Sequence, residues 1–313
     1  MLNKWRSPRP RGAPFLEKYR GLKQGLITLL KTNLKQTMAQ DDLVTTTKNY
    51  YDSEDADNFY HAIWGGEDIH VGIYQKEGED IATASHRSVA QMLQKIPEPT
   101  GHTEVLDMGA GYGGGARYLA KTYRCPVTCL NLSTTENERN RTKTREAGLD
   151  HLVKVDEGNF EQMPYQDESF DLVWCQDSIL HSGNKEAVIK EVARVLKPGG
   201  DFIFTDPMQS DDCPDGVLDP ILERIHLGEL GSVKKYRALA QAVGLTEESI
   251  EERPEMIGKH YGRVREELRQ NKDKLQGQVS NGYIQRMDKG LGHWVEGSQN
   301  GYLNWGILHF KKP

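Results

Sequence analysis

From residue 103 onward, short apolar segments alternate with segments of helical periodicity, and this alternation restricts the fold more than any other feature of the chain. The predicted strands are Thr103–Met108, Val127–Leu130, Leu152–Val155, Asp171–Cys175 and Asp201–Thr205. The predicted helices between them are Tyr112–Thr122, Thr135–Ala147 and Lys185–Leu196. The last is expected to end at Lys197-Pro198-Gly199-Gly200, because proline cannot continue a helix and glycine readily takes a positive φ. Such an alternation predicts a parallel sheet covered by helices on both faces.

After residue 230 the pattern is weaker. Val233–Val243 and Lys259–Val279 are predicted helices, and Glu248–Arg253 and Tyr302–Phe310 are predicted strands. Residues 256–300 are too many for a loop between neighbouring strands, so they are expected to form a helical cap over the ligand-binding edge of the sheet. The chain then divides into a basic N-terminal extension (1–41), an N-terminal helical lid (42–100) and a main domain (101–313) with the cap near 256–300.

A glycine-rich loop follows the first predicted strand. Its sequence, Gly109-Ala110-Gly111-Tyr112-Gly113-Gly114, matches G-x-G-x-x-G, and ligands of such sheets bind at the carboxyl ends of the strands. Alone, this pattern also fits a dinucleotide-dependent oxidoreductase. Asp107 favours a different ligand, because its carboxylate repels a pyrophosphate but attracts the ammonium and sulfonium groups of S-adenosylmethionine.

Residues after the later strands complete a predicted cofactor site. Asn131 stands where a carboxylate commonly accepts both ribose hydroxyls, and an amide can still accept one hydrogen bond and donate another. Asn159 is expected to bind the exocyclic amine of adenine, and Phe160 to pack on the purine. The predicted cofactor site comprises Asp107, Gly109, Ala110, Gly111, Gly113, Asn131, Leu132, Asn137, Asn159, Phe160 and Gln176, with Glu136 as a further contact.

The distribution of charge limits the class of substrate. The chain has 40 Lys and Arg against 46 Asp and Glu, but residues 1–38 hold nine basic residues and one acid. The remainder carries 31 basic and 45 acidic side chains, a net charge of −14. Because an acidic body repels phosphate backbones, a nucleic-acid partner is not expected. Small zwitterionic or cationic substrates fit better.

The N-terminal segment and the cysteines bear on location. Residues 1–38 are basic with leucines at helical spacing, which resembles an organelle transit peptide, and a solvated helix or extension is the alternative. No apolar run approaches the roughly 20 residues that span a bilayer, so membrane insertion is not expected. The four cysteines form no C-x-x-C pair, so neither a metal site nor a disulfide framework is predicted. We expect a cytoplasmic protein, or an organellar one if residues 1–38 are a transit peptide; the oligomeric state stays open.

These motifs together resemble those of the class I methyltransferases. Over residues 103–310 the resemblance rests on VLDMGAGYGGG (105–115), NLS (131–133), MPYQDESFDLVW (163–174) and LKPGG (196–200). Upstream, YYDS (50–53), FYHAIWGG (59–66) and IHVGIY (69–74) are similar to the N-terminal lid of small-molecule N- and C-methyltransferases. With WVE (294–296) and LNWG (303–306), the span 42–311 is most similar to the sarcosine/dimethylglycine N-methyltransferases.

The resemblance implies a Rossmann-like α/β fold, with a mostly parallel seven-stranded sheet, helices on both faces and a helical lid and cap. It also implies stepwise methylation of sarcosine and dimethylglycine towards glycine betaine, an osmoprotectant, with S-adenosylmethionine as methyl donor and no metal.

The chemistry then suggests an acceptor site. Methyl transfer is an in-line displacement in a site closed to water, and aromatic faces bind a quaternary ammonium product best. The predicted substrate-binding residues are Tyr50, Tyr51, Trp64, Tyr74, Met208, Tyr261, Arg286 and Trp294. Arg286, Arg263 or Tyr261 would pair with a substrate carboxylate, and Arg87 with that of the cofactor. His181 is the candidate general base, although burial of the amine also lowers its pKa, so a base is optional.

Three other functions stay open from the sequence. The same fold can methylate a lipid-like or aromatic acceptor, but a net charge of −14 argues against a membrane-surface lipid unless residues 1–38 supply the contact. A non-catalytic S-adenosylmethionine-binding regulator would have no use for an aromatic cage. An NAD-dependent oxidoreductase would lack both the acid at position 131 and an evident hydride-transfer pair.

Overall fold

One seven-stranded sheet organises the protein, as seen in a computed structural model that describes residues 43–64 and 66–313. The strands are β1 (Val105–Met108), β2 (Val127–Asn131), β3 (Val153–Glu157), β4 (Phe170–Gln176), β5 (Leu196–Gln209), β6 (Thr246–Glu252) and β7 (Leu303–Lys311). Their order is β3-β2-β1-β4-β5-β7-β6. Only β7 runs antiparallel to its neighbours, β5 and β6. The prediction of a mostly parallel, seven-stranded α/β fold is confirmed.

Helices cover both faces of the sheet. After a helical segment at 43–51 they are α1 (Glu54–Ile63), α2 (Ile81–Leu93), α3 (Gly114–Tyr123), α4 (Thr134–Glu146), α5 (Lys185–Val195), α6 (Asp219–Leu222), α7 (Val233–Ala242), α8 (Pro254–Gln270) and α9 (Asn281–Gln299). Short 3₁₀ turns occur at Ile179–His181 and Lys272–Leu275. In the described ranges no helix combines the length and apolarity needed to cross a membrane.

Because side chains alternate between the two faces of the sheet, the protein has two hydrophobic cores, one on each face. Successive side chains of a strand point to opposite faces. In β4, Trp174 therefore joins the core with α1, α2, α3, α8 and α9, whereas Val173 and Cys175 join the core with α5 and α7. Residues on both faces of the central strands are buried, which explains why these strands read as continuous apolar runs in the sequence.

The helix ends before Lys197–Gly200 as predicted, but these residues already belong to a strand that we expected to begin only at Asp201. Helix α5 ends at Val195 and β5 begins at Leu196. Leu196 pairs with Phe170 and Asp201 with Leu172, so the pairing register shifts between these points. Gly199, with φ of +79°, bends the strand there. Proline and glycine thus mark an irregularity inside β5 rather than a break before it.

The predicted helix Lys259–Val279 is also different in the structure. Helix α8 starts earlier, with Pro254 in its first turn, where a missing backbone N–H costs nothing. It ends at Gln270, and Ser280 then caps α9 by accepting a hydrogen bond from the backbone of Tyr283. The two helices pack together, with the rings of Tyr261 and Trp294 stacked 4.8 Å apart. The transit-peptide prediction for residues 1–38 lies outside the described residues.

A buried tyrosine–carboxyl pair under the sheet leads to a stability prediction. The hydroxyl of Tyr236 in α7 donates to Asp206 Oδ2 in β5 at 2.6 Å, and both residues are fully buried. Tyr236→Phe leaves that oxygen without its donor, so we expect a loss of about 1–3 kcal/mol in the free energy of unfolding. Urea denaturation measures it, and Tyr302→Phe is the control because that hydroxyl has no hydrogen bond among the described residues. An unchanged Tyr236→Phe midpoint would contradict the prediction.

Candidate active site

The loop after β1 allows a ligand to approach the backbone closely. Gly109, Gly111 and Gly113 have φ of +75°, +50° and +74°, a region that glycine enters without strain. Gly109 N donates to Leu130 O at 2.7 Å, which fixes the loop to the end of β2. A Cβ on Gly109 would overlap the side chain of Ser178. The loop conformation therefore requires glycine at this position.

This loop forms the floor of a cavity that we call the glycine-loop cavity. Nine of the predicted cofactor residues line it: Asp107, Gly109, Ala110, Gly111, Asn131, Leu132, Asn159, Phe160 and Gln176. Gly113 and Asn137 do not. A Cβ on Gly113 would overlap Asn140, so Gly113 provides room for α4, and Asn137 is buried with its amide donating to Asn131 O at 3.2 Å. Both residues support the wall of the cavity instead of lining it.

Two buried carboxyl groups line the glycine-loop cavity and determine which ligand groups it can bind. Burial raises the pKa of Asp107 to about 7 and that of Glu136 to about 7. Asn131 Nδ2 donates to Glu136 Oε2 at 2.9 Å, so the acid missing from position 131 stands five residues later, on α4. A ligand with a cationic end and vicinal hydroxyls satisfies both carboxyls. The donor set and the glycine cradle fit S-adenosylmethionine.

A second cavity adjoins the first, and we call it the aromatic cavity. Of the predicted substrate residues, Tyr50, Tyr51, Trp64, Tyr261 and Trp294 line it. The residues that line both cavities are Thr47, Tyr51, Ile69, His70, Asp177 and His181. These six side chains stand where a group could pass from one cavity to the other.

Three predicted substrate residues lie elsewhere. Met208 is fully buried in the core with α5 and α7, and its strand neighbour Pro207 faces the aromatic cavity, as expected when successive residues point to opposite faces. The hydroxyl of Tyr74 lies 2.9 Å from His260 Nδ1, behind the cavity wall. Arg286 is exposed, with its guanidinium 5.9 Å from the centre of the Tyr283 ring.

The other two arginines considered from the sequence are engaged within the protein. Arg263 pairs with Glu266 and Glu267 of its own helix. Arg87 pairs with Glu79 at 2.7 Å. Neither guanidinium lines a cavity, so neither can hold a ligand carboxylate in this arrangement.

At the junction of the cavities, Tyr51 and His181 form a pair. The hydroxyl of Tyr51 lies 2.8 Å from His181 Nε2, and the rings meet edge to face at 5.4 Å. Burial, together with Lys185 and Arg224, lowers the pKa of His181 to about 4. The imidazole is therefore neutral near pH 7, and its Nε2 can accept the hydrogen bond that Tyr51 donates.

Sequence reasoning missed several residues of the aromatic cavity. The missed residues that line it are Tyr60, Arg224, Met287 and Leu291. Tertiary packing, and not a local sequence pattern, brings each of them to the cavity. Arg224 lies just after the short helix α6, in a segment whose pattern predicted no element. Tyr60 was included in the lid motif, but the spacing of α1 alone did not distinguish it from its buried neighbour Phe59.

Comparison with known proteins identifies the group. Residues 106–204 match the methyltransferase domain family. The sarcosine/dimethylglycine N-methyltransferase of Halorhodospira halochloris is 53% identical over 276 residues, 88% of this chain and 99% of that protein. Its counterpart from Aphanothece halophytica is 50% identical over 87% of this chain and 99% of that protein. A solved structure assigned as a sarcosine dimethylglycine methyltransferase of Galdieria sulphuraria is 38% identical, with a TM-score of 0.79, covering 84% of this chain and 98% of that one.

These relatives are matched along nearly their whole length, and the fold and the glycine-loop cavity agree with the class. The predicted resemblance is confirmed, and so is S-adenosylmethionine as the cofactor. The chain belongs to the sarcosine/dimethylglycine N-methyltransferase family of class I S-adenosylmethionine-dependent methyltransferases.

Proposed function

We propose that the protein transfers methyl groups from S-adenosylmethionine to the nitrogen of sarcosine and dimethylglycine, towards glycine betaine. One observation carries the proposal: the glycine-loop cavity and the aromatic cavity share a wall of six residues. An aromatic cavity suits an N-methylated cation, because ring faces attract quaternary ammonium groups. The names of the relatives at 50–53% identity supply the specific acceptors.

The cofactor is proposed to lie in the glycine-loop cavity, where it supplies a sulfonium methyl as the group transferred. Asp107 is positioned to pair with the cationic end of the molecule. Glu136 and Asn131 are positioned to bind the ribose hydroxyls, and Phe160 to pack against the base beside Asn159.

In the aromatic cavity, Tyr50, Trp64, Tyr261 and Trp294 are proposed to surround the methylated nitrogen. At the junction, the Tyr51 oxygen, whose proton is donated to His181, would face the positive charge that develops on that nitrogen. With its pKa lowered to about 4, His181 is a weak base. We therefore assign it the role of orienting Tyr51, and the amine enters in its neutral form as burial lowers its pKa.

We also propose a division of the chain into a lid and a methyltransferase domain. The segment 42–100 would act as a lid and 101–313 as the methyltransferase domain, with α8 and α9 as the cap; both segments contribute side chains to the aromatic cavity.

The molecule that the protein binds besides its cofactor would be a small amine and not a nucleic acid. A cytoplasmic location, or an organellar one directed by residues 1–38, is proposed, and a fusion of those residues to a fluorescent protein tests the choice.

Cofactor binding should depend on pH. In the ligand-free protein the pKa of Asp107 is about 7, above its usual 3.8 because of burial, so the carboxyl is largely protonated below pH 7. An ammonium bound beside it stabilises the ionised form, so binding releases a proton. We expect the Kd of S-adenosylhomocysteine to rise about tenfold from pH 8 to pH 6.

Isothermal titration in two buffers of different ionisation enthalpy measures both the Kd and the proton released. Asp107→Asn should bind more weakly at every pH, with a flatter profile, because Glu136, whose pKa is also about 7, meets uncharged hydroxyls and not a cation. A wild-type Kd that stays constant between pH 6 and pH 8 would refute the assignment of Asp107.

The function is tested by methyl transfer from labelled S-adenosylmethionine to glycine, sarcosine, dimethylglycine and phosphoethanolamine in parallel. Turnover of sarcosine and dimethylglycine supports the proposal. Binding of the cofactor without turnover of either amine would leave the fold and cofactor intact and reject the acceptor.

A further inference from the structure

Arg224 occupies a position shared by two spaces. It lines the aromatic cavity, and it also lines a wide surface cleft that we call the outer cleft, bordered by Glu54, Asp55, Asp219, Glu223 and Arg286. Tyr50, His226 and Met287 likewise line both. The guanidinium therefore stands at the end of the aromatic cavity that lies away from the cofactor.

The guanidinium has no carboxylate partner among the described residues. Its Nη2 lies 2.9 Å from Met287 Sδ, and no Asp or Glu of the described ranges approaches within 4.0 Å. The other described arginines that lack such a partner, Arg124, Arg145 and Arg286, are exposed to water, whereas Arg224 is half-buried. A half-buried guanidinium without an anion is costly unless a ligand supplies the anion.

Helix α9 leaves room for this side chain. A Cβ on Gly290 would lie 2.6 Å from Arg224 Nη1 and 2.8 Å from its Cζ. The guanidinium thus packs directly against the helix at Gly290, which holds it towards the cavity. Tyr50, Tyr60 and Tyr261 line the aromatic cavity together with it.

The opposite end of the aromatic cavity carries the opposite charge. Asp177 lies there, in the wall shared with the glycine-loop cavity, and its carboxylate accepts hydrogen bonds from Val71 N and from Trp305 Nε1. The Tyr51–His181 pair lies in the same wall. The cavity is therefore polarised, with an anion near the cofactor and a cation at the outer end. Such a cavity is complementary to betaine, the zwitterionic product, with its nitrogen towards the glycine-loop cavity and its carboxylate towards the outer end.

We propose that Arg224 binds the carboxylate of the acceptor and makes the enzyme select amino acids over amines that lack a carboxylate. The proposal rests on the proposed function and deepens it. A guanidinium can hold a carboxylate through two parallel hydrogen bonds, which fixes orientation as well as affinity. With the carboxylate at Arg224, the nitrogen of a short amino acid points towards the Tyr51–His181 junction.

The test compares ligands that differ only at the carboxylate. Binding of glycine betaine and of choline to the complex with S-adenosylhomocysteine is measured for the wild type, Arg224→Gln and Arg224→Lys. We expect the wild type to prefer betaine by about 100-fold, Arg224→Gln to lose that preference, and Arg224→Lys to keep part of it. The kcat/KM for dimethylglycine should fall about 100-fold in Arg224→Gln, with the Kd of S-adenosylhomocysteine unchanged.

A second variant displaces Arg224 without removing it. Gly290→Ala should push the guanidinium aside and raise the KM for dimethylglycine more than it lowers kcat. Gly262→Ala is the matched control, because a Cβ there meets only Val295 at 4.0 Å. Arg286→Gln tests the competing residue of the outer cleft.

Each result decides a separate question. Wild-type kcat/KM in Arg224→Gln, or a larger loss in Arg286→Gln than in Arg224→Gln, would overturn the proposal. Failure of the wild type to methylate any N-methylglycine would instead reject the proposed function, and the betaine and choline titrations would still report whether Arg224 reads a carboxylate.

Discussion

Gly109→Ala is expected to weaken the binding of S-adenosylhomocysteine by at least about 100-fold. Gly109 has φ of +75°, where an L-residue costs about 1–2 kcal/mol. In addition, the new Cβ would overlap Cβ and Oγ of Ser178, whose hydroxyl donates to Gly109 O at 3.0 Å. Since neither group can give way without moving the loop, the backbone is displaced into the space that the ligand needs. Isothermal titration measures the loss, which corresponds to about 3 kcal/mol.

A matched variant separates backbone strain from overlap. Gly199 has φ of +79°, but a Cβ on it meets nothing within 4 Å. Gly199→Ala should therefore lose some stability and retain the wild-type Kd. The double variant Gly109→Ala/Ser178→Gly removes the overlapping atoms and should recover part of the affinity. If Gly109→Ala bound as tightly as the wild type, the loop would not be the cofactor cradle.

Strands at the centre of the sheet follow from local sequence, because β1, β2 and β4 are mainly apolar segments that are buried along most of their length. The prediction Val127–Leu130 differs from β2 by one residue, and Asp171–Cys175 lies within β4. The strand predicted at Asp201–Thr205 begins five residues earlier, at Leu196, for a physical reason. A proline–glycine pair stops a helix, but whether the chain then leaves the sheet or bulges within it depends on partner strands that local sequence does not reveal.

Side-chain alternation along strands and rotation along helices decide which of the predicted site residues line the cavities. Pro207 and Met208 are adjacent in β5, yet only Pro207 faces the aromatic cavity. Glu136 and Asn137 are adjacent in α4, where one residue turns the side chain by about 100°, and only Glu136 lines the glycine-loop cavity. Arg224 carries no local signal, because its partners come from helices distant in the sequence.

The second large effect is expected at the junction of the cavities. Tyr51→Phe removes the hydroxyl that lies 2.8 Å from His181 Nε2 and faces both cavities. We expect kcat for dimethylglycine to fall about 100-fold, because the positive charge that develops on the nitrogen loses the oxygen that faces it. The Kd of S-adenosylhomocysteine should change little. Single-turnover methyl transfer measures the effect, with Tyr302→Phe as the control.

Two substitutions of His181 distinguish a role in positioning Tyr51 from a role in removing a proton. His181→Gln places an amide oxygen near the position of Nε2 and can still accept from Tyr51, whereas His181→Ala cannot. With a pKa lowered to about 4, the imidazole is a poor proton acceptor, so we expect His181→Gln to retain activity within about tenfold and His181→Ala to match Tyr51→Phe. Equal losses in the two His181 variants, with a shift in the pH dependence of kcat, would instead assign His181 as the base. Only an acceptor that orients Tyr51 is rescued by glutamine, because the amide does not take up a proton near neutrality.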